Sequence, residues 1–384
     1  MSILQGTGLI LRRRLTMRNL AQRGYSNAQV LAMLKAHRTI AFDYALLNQD
    51  EKLIRWLSKA SGSVSFNSGQ EVMGTASFEV LKEEIQGNYY TTDMRIAPYF
   101  KLLTPTGWLT WPLGVYIMTT PKQSAKYGKI HSQVECYDKG IILKEDKITD
   151  RLYIPPGSNY VNQIRSVIAS AGIKVVNIPS SPLTCSTGLE YDIGSEKLQI
   201  VNDLLYAINY TPLHFDSAGI AVSAPYIEAI GRNAEESYIT DKNSVITDGA
   251  TQTNDLYNVP NVVVRYVDNP DGEPLRSIYT NDNAESPIST VRRGRKIVDV
   301  ESVDDIADQD TLDAYTRRVA IEKSQINDIV TLSTALMPHH GYKNCLYIRH
   351  DKMEIGSKYI EESWSMDLAA GGTMNHNLRK VTFI

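Results

Sequence analysis

The sequence predicts a mainly β protein with an α+β insertion, in which two β-barrel-like domains flank one small α/β domain. Three observations predict it. Short alternating apolar and polar runs, separated by Gly-, Pro- and Asn-bearing turns, fill residues 40–150 and return after residue 229. Between them, residues 151–228 switch to apolar spacings of three and four, the period of a helix. The chain has 384 residues, room for roughly two or three domains.

Composition removes several classes. Apolar residues make up 42% and charged residues 22%, which indicates a globular chain rather than a disordered one. The formal net charge of −3 gives no whole-chain attraction to nucleic acid or an anionic membrane. No run of about 18 apolar residues occurs, so no membrane span is expected. Tyrosine (22) far outnumbers phenylalanine (6). That suits half-exposed strand positions and also surfaces buried against a partner. Cys136, Cys185 and Cys345 are odd in number and far apart, with no CxxC, which argues against a zinc ribbon or a disulfide framework. Cys136 reads as a small buried hydrophobe in a strand.

Residues 1–39 form a basic arm and a helix. No Asp or Glu occurs in residues 1–42, which carry Arg12, Arg13, Arg14, Arg18, Arg23, Lys35 and Arg38. Such a start has the composition of a mitochondrial transit peptide, but also of a solvated tail or a docking arm. On the docking reading, deleting residues 1–25 leaves the fold intact and weakens assembly. Ser26 and Gln29 match a capping box ahead of Val30, Leu31 and Leu34.

Residues 40–150 read as the first β domain. Ala76, Phe78 and Val80 alternate with Thr75, Ser77 and Glu79, and Val115 with Ile117 and Val134 with Cys136 do the same. In the α/β domain, residues 151–228, Ser158 is placed to cap a helix carrying Val161, Ile164, Ile168 and Ala171, which Gly172 ends. Ile173–Ile178 follows as a strand and Pro179–Leu189 as a linker. The Tyr191–Tyr226 stretch then reads as one helix and one hairpin. Ser195 caps Leu198, Val201, Leu204, Leu205 and Ile208, Thr211-Pro212 stops the helix, and Asp216–Gly219 turns the hairpin.

Residues 229–384 read as a second β-rich domain with one helix. Asn233–Thr253 looks like a long surface loop or a segment ordered by a partner, Val262–Tyr266 a strand turned at Asp268–Gly272, and Asn281–Thr290 a polar loop. Asp308 or Asp310 caps a helix with Leu312, Tyr315 and Val319. Ile360, Glu362, Trp364, Met366 and Leu368 share one face of a late strand, with Glu362 breaking it.

No residue is assigned as catalytic, cofactor-binding or metal-binding. His339 and His340 are adjacent, and on an extended chain they point to opposite sides, which disfavours one shared metal. Asp268–Glu273 has oxygen ligands around a glycine but no acid at the closing position of a calcium loop (Tyr279). Arg292, Arg293, Arg295 and Lys296 form one basic cluster, which reads as a phosphate grip or a solvated loop. The pairs Glu83-Glu84, Glu235-Glu236 and Glu361-Glu362 are neighbours in sequence, and nothing sets two of them across a substrate. GxSxG, HExxH and P-loop motifs are absent.

The order of several pieces resembles the bacteriophage tail baseplate-hub family. They are Phe66–Gly69 with Gly74–Phe78, Leu113–Ile117, Cys136–Lys139, the Tyr191–Tyr226 run, Asn261–Thr290 and Trp364–Leu368. The resemblance spans about residues 60–375 and leaves the N-terminal arm outside it. It implies a non-enzymatic homotrimeric ring at the virion tail tip, assembled in the host cytoplasm. Implied partners are the tail tube or a distal tail protein, the tape-measure protein and tip or receptor-binding proteins, with DNA only as passing cargo. A contractile injection-system hub fits equally well. The β ending close to Ile384 sets the expectation that no hydrolase module is fused. Two other classes stand beside this one: a glycan-binding tail module stacking sugars on Trp108, Trp111 and Trp364, and a cell-wall-degrading tail enzyme.

Overall fold

The computed structural model describes residues 17–85, 94–119, 121–247, 249–254, 257–267, 275–303, 305–325 and 328–381. The protein is mainly β, with large antiparallel sheets, as its residue pattern predicts. Arg12–Arg14 and the Asp268–Glu273 turn lie outside the described residues.

Helix α1 (Asn27–Lys35) starts where the capping box places it. Ser26 Oγ accepts from Gln29 N at 3.3 Å, and Gln29 Oε1 accepts from Ser26 N at 2.8 Å. The segment before it belongs to the body rather than to a loose arm. Leu20 is fully buried beside Val30 and Leu34, and Gln22 exchanges hydrogen bonds with the Thr110 backbone. A cut at residue 25 therefore opens the main core, against the expectation that deleting residues 1–25 leaves the fold intact; residues 1–16 lie outside the described residues.

The first β region comprises β1 (Ile40–Leu47), β2 (Leu53–Leu57), β3 (Ala60–Asn67), β4 (Gly74–Leu81), a turn of helix α2 (Lys82–Ile85), β5 (Arg95–Thr104), β6 (Gly107–Pro112), β7 (Tyr116–Met118), β8 (Lys122–Lys126) and β9 (Lys129–Tyr137). Its order is β2-β1-β5-β7-β9-β4-β3, with β6 on β5 and β8 on β9. Alternation holds where the sequence shows it: Ala76, Phe78, Val80, Val134 and Cys136 all point into the core. At Gly62 the backbones of β3 and β4 come so close that a Cβ would lie 2.1 Å from the Ser77 carbonyl oxygen, so the position requires glycine.

The α/β unit holds α3 (Gly140–Glu145), β10 (Leu152–Ile154), α4 (Tyr160–Ser170), β11 (Val176–Asn177), β12 (Leu189–Tyr191), α5 (Lys197–Tyr206), β13 (His214–Phe215) and β14 (Ala221–Val222). Val161, Ile164, Ile168, Leu198, Val201, Leu204, Leu205 and Ile208 form its separate core. Both cap assignments shift by one residue. Asn159, not Ser158, caps α4, because its amide accepts from Asn162 N and also donates to the Ser181 and Leu183 carbonyls. At α5 the cap position is Glu196, with no side-chain cap, since Ser195 and Glu196 are pinned by backbone pairing with Ile148 and Lys147. The strand expected over Ile173–Ile178 shrinks to two residues.

The last region differs most from its reading. The expected surface loop contains β15 (Glu236–Ile239) and β16 (Thr251–Asn254). A second small α/β unit follows, made of β17 (Val262–Tyr266), β18 (Arg276–Thr280), α6 (Thr290–Arg293), β19 (Val298–Ser302) and α7 (Gln309–Gln325), with β17 and β19 parallel. Asp308 caps α7 by accepting from Thr311 N. Then come β20 (Asp328–Ala335), β21 (Cys345–His350), β22 (Ile355–Asp367) and β23 (Thr373–Lys380).

The two β regions share one sheet. The first half of β22 pairs with β21 and its second half pairs with β3, setting Trp364 opposite Phe66 and Ser365 opposite Ser65. One apolar core runs from Leu20 through Phe78 and Phe100 to Met366 and Leu378.

Candidate functional site

A run of eight strands crosses the seam in the order β8-β9-β4-β3-β22-β23-β20-β16. One face is the core. The other carries small polar side chains in register: Thr75 opposite Ser65, Ser65 opposite Ser365, Ser365 opposite Asn375, Asn375 opposite Ser333. Ser333 Oγ donates to Asn375 Oδ1 at 2.6 Å. Towards β8 the face becomes charged but balanced, with Glu79 bound by Lys126 at 2.8 Å and His131 at 2.9 Å. Among the described residues each outer strand has one neighbour, β9 for β8 and β20 for β16, and every residue of β8 is exposed, as are Thr251–Thr253 of β16.

Behind the same strands lies a buried polar cluster. A β-bulge between Glu361 and Ser363 shifts the register of β22 against β23, and Glu361 turns inward while Glu362 stays half-exposed. This reverses the sequence reading, in which Glu362 broke the core face. Glu361 Oε2 lies 2.6 Å from His340 Nδ1, and Oε1 lies 2.6 Å from His376 Nδ1. The outer nitrogens also have partners: His340 Nε2 meets Tyr238 Oη at 2.6 Å, and His376 Nε2 meets Thr334 Oγ1 at 2.8 Å. Burial alone would push the Glu361 carboxyl up, but the two imidazoles hold it down, at about 2. Burial pushes His340 down to about 4 against the pull of Glu361, and pushes the Tyr238 phenol up. Among the described residues, His340, Glu361 and His376 form a group that could hold a metal ion.

The adjacent His339 faces elsewhere. Its Nε2 lies 3.6 Å from Glu236, which Lys35 binds at 2.8 Å, and both of its ring nitrogens are buried without a hydrogen bond among the described residues. It lines a cavity of about 790 Å³ together with Arg18, Trp111, His214, Asp216 and Trp364.

The other sequence candidates stay apart. Glu84 accepts from Ser58, Glu83 pairs with Lys129, Glu235 with Arg232, and Glu362 with Arg379. Arg293 donates to the Tyr257 and Val259 carbonyls, and Arg295 covers the Tyr257 ring, which folds these two side chains onto the segment before β17. Trp111 and Trp364 are 3% and 8% exposed, and Trp364 stacks on Phe66. Two of the three rings nominated for sugars are thus core residues. The three cysteines are free and buried.

Sequence reasoning named Glu361 only as half of an adjacent pair and missed His376. His376 sits between Met374 and Leu378 in apolar alternation, a signal that was available, whereas the acid interrupting the alternation at 360–368 is Glu362, one residue away from the one that turns inward.

No protein-family model matches the sequence, and no curated protein matches it. Solved structures do. The tail protein from Neisseria meningitidis MC58 superposes with a TM-score of 0.64 at 10% identity, over 88% of this chain and 97% of that one. The 43 kDa tail protein of prophage MuSo2 from Shewanella oneidensis gives 0.58 at 12% identity, over 88% and 98%. Prophage tail protein gp18 from Listeria monocytogenes EGD-e gives 0.53 at 14%, over 88% and 94%. Likeness over nearly the full length of all three, with the strand order already described, gives this chain the fold of phage tail proteins.

Proposed function

We propose that the chain is a structural, non-enzymatic hub subunit of a phage tail tip, and that three copies close into a ring continuing the tail tube. The observation that carries this reading is the eight-strand run with open edges at β8 and β16 and one small-polar face. Open strand edges are aggregation templates, and a closed ring buries them. Each copy contributes two four-stranded halves joined at the β3–β22 seam, so three copies present six similar surfaces, suited to a six-fold tube. The small-polar face would line the channel. Serine, threonine and asparagine with balanced charge offer no cationic grip on phosphates, so DNA would pass without being held. Tube, tape-measure and tip proteins would be the axial neighbours.

The native mass of the purified protein tests this over a range of concentrations. The 43.0 kDa subunit is expected at three times that mass. A monomer at every concentration, and still absent from rings when tail tube is supplied, overturns it. Edge variants locate the contact. Backbone N–H groups alternate sides along a strand, so either Gln252 or Thr253 points its N–H away from β20. Proline there removes the donor a neighbouring copy would need. Of Gln252→Pro and Thr253→Pro, the one that keeps the parent melting temperature is expected to remain monomeric.

A further inference from the structure

We propose that His340, Glu361 and His376 bind one divalent transition-metal ion through the two Nδ1 atoms and the carboxylate. The site is independent of the ring reading. Three donors set 21 and 15 residues apart converge in the interior: Glu361 is 1% exposed, His376 3% and His340 7%. Among the described residues the only ion-pair partners of Glu361 are these two histidines, so its negative charge has no lysine or arginine to answer it.

The hydrogen positions narrow what lies between the rings and the acid. Thr334 Oγ1 donates to the Ala335 carbonyl at 2.9 Å, which leaves its lone pairs for His376 Nε2. That nitrogen therefore carries a hydrogen. With Nε2 protonated, Nδ1 of a neutral His376 is a bare lone pair facing a carboxylate oxygen 2.6 Å away. A contact of that kind needs a positive particle in it, either a proton or a metal ion. On the His340 side the contact from Nε2 to Tyr238 Oη is 2.6 Å, and an ion bound at Nδ1 would leave the Nε2 hydrogen to point at that oxygen.

The metal satisfies more of the arrangement than a proton does. A dication meets two imidazoles and both carboxylate oxygens at once, and it brings the positive charge that two neutral rings do not. The outer-nitrogen hydrogen bonds are those that fix ring orientation around a bound ion. The bulge that turns Glu361 inward is a device that re-aims a side chain. Donors at about 2.1 Å from a metal stand about 3.0–3.4 Å apart, so each 2.6 Å contact must open by about 0.4–0.8 Å. Imidazole and carboxylate together suit zinc, cobalt or nickel rather than magnesium or calcium. Bound there, the ion ties the chain after β20 to β22 and β23.

The test uses the full-length protein, stripped with a chelator and dialysed, with Co²⁺ and then Zn²⁺ as probes. Expected results are about one equivalent of Co²⁺ per chain with a visible absorption band, its displacement by Zn²⁺, and a rise in melting temperature with either ion. His376→Asn and Glu361→Gln are expected to abolish the band, and His339→Asn to keep it. Stripped wild-type protein that retains neither ion and melts at the same temperature with or without them overturns the proposal and leaves a proton in the site. So does a band that persists in folded His376→Asn. The wild-type measurement decides even if a variant fails to fold.

Discussion

The two β regions contribute to one sheet but fill their shares of the core differently. Around β4, β5 and β9 the interior is chiefly Phe78, Phe100, Leu102 and Val134, and the buried charges there, Arg95, Asp138 and Lys139, sit at the strand ends. Around β20, β22 and β23 the interior mixes Val330, Met374 and Leu378 with Glu361, His340 and His376. An apolar interior tolerates small errors in shape, at a cost that scales with lost volume. A polar interior is all or nothing, because each group left without its partner keeps its full desolvation cost. The second region therefore has a more specific arrangement but a more fragile one.

Truncations should expose this contrast most strongly. Phe78→Ala and Glu361→Ala are each expected to cost about 3–5 kcal/mol in urea unfolding, the first through a cavity and the second through two stranded imidazoles. Their rescue should differ. Adding leucine at both 340 and 376 together with Tyr238→Phe should recover much of the Glu361→Ala loss, since Thr334 Oγ1 keeps its bond to the Ala335 carbonyl and no unpaired group remains. Only restored volume should recover Phe78→Ala. A Glu361→Ala cost below about 1 kcal/mol would break the comparison.

Acid gives the next largest effect. His214, in the α/β hairpin, is buried and stacked 4.2 Å from the Tyr342 ring, and burial pushes its imidazole down to about 4. Its folded-state value lies below the unfolded one, so the unfolded chain binds the proton first. Stability is then full above about pH 6.5 and falls as pH drops towards 4, by up to about 3 kcal/mol. Glu361, held at about 2, keeps its charge through that window. His214→Phe preserves the ring stack and should flatten this part of the pH–stability curve. An unchanged slope would assign the acid sensitivity to the His340 side instead.

The smallest effect concerns a local contact shared by neither core. Ser26→Ala removes the α1 cap and should cost about 1 kcal/mol by the same unfolding measurement. A cost near 3 kcal/mol would mean that α1 holds the Leu20 segment in place rather than resting on it.

Local signals carried much of the architecture. The capping box at Ser26, the Asp308 cap, the alternation at 76–80 and the apolar faces of α4 and α5 are all read within a turn or two of the residues that satisfy them. What escaped is non-local. β15 and β16 are short and polar, and become strands because β21 and β20 offer them edges. Glu361 faces the core because of a bulge that has no sequence signature, and its partners lie 21 and 15 residues away. The basic start looked uniform, yet at Leu20 it is already inside the fold, a distinction that only packing makes.

The β3–β22 seam also sets a timetable for synthesis. Asn67 pairs with Ser363, so the outer edge of β3 waits about 300 residues for its neighbour. At about 5–20 residues per second that is on the order of 15–60 s during which the first β region leaves the ribosome with an exposed strand. Pairings so distant in sequence form late and slowly. Nascent chains crowded on one message are thus each other's nearest alternative partner, and slowing translation between the two strands should lower the yield of soluble protein more than slowing it anywhere after Asp367.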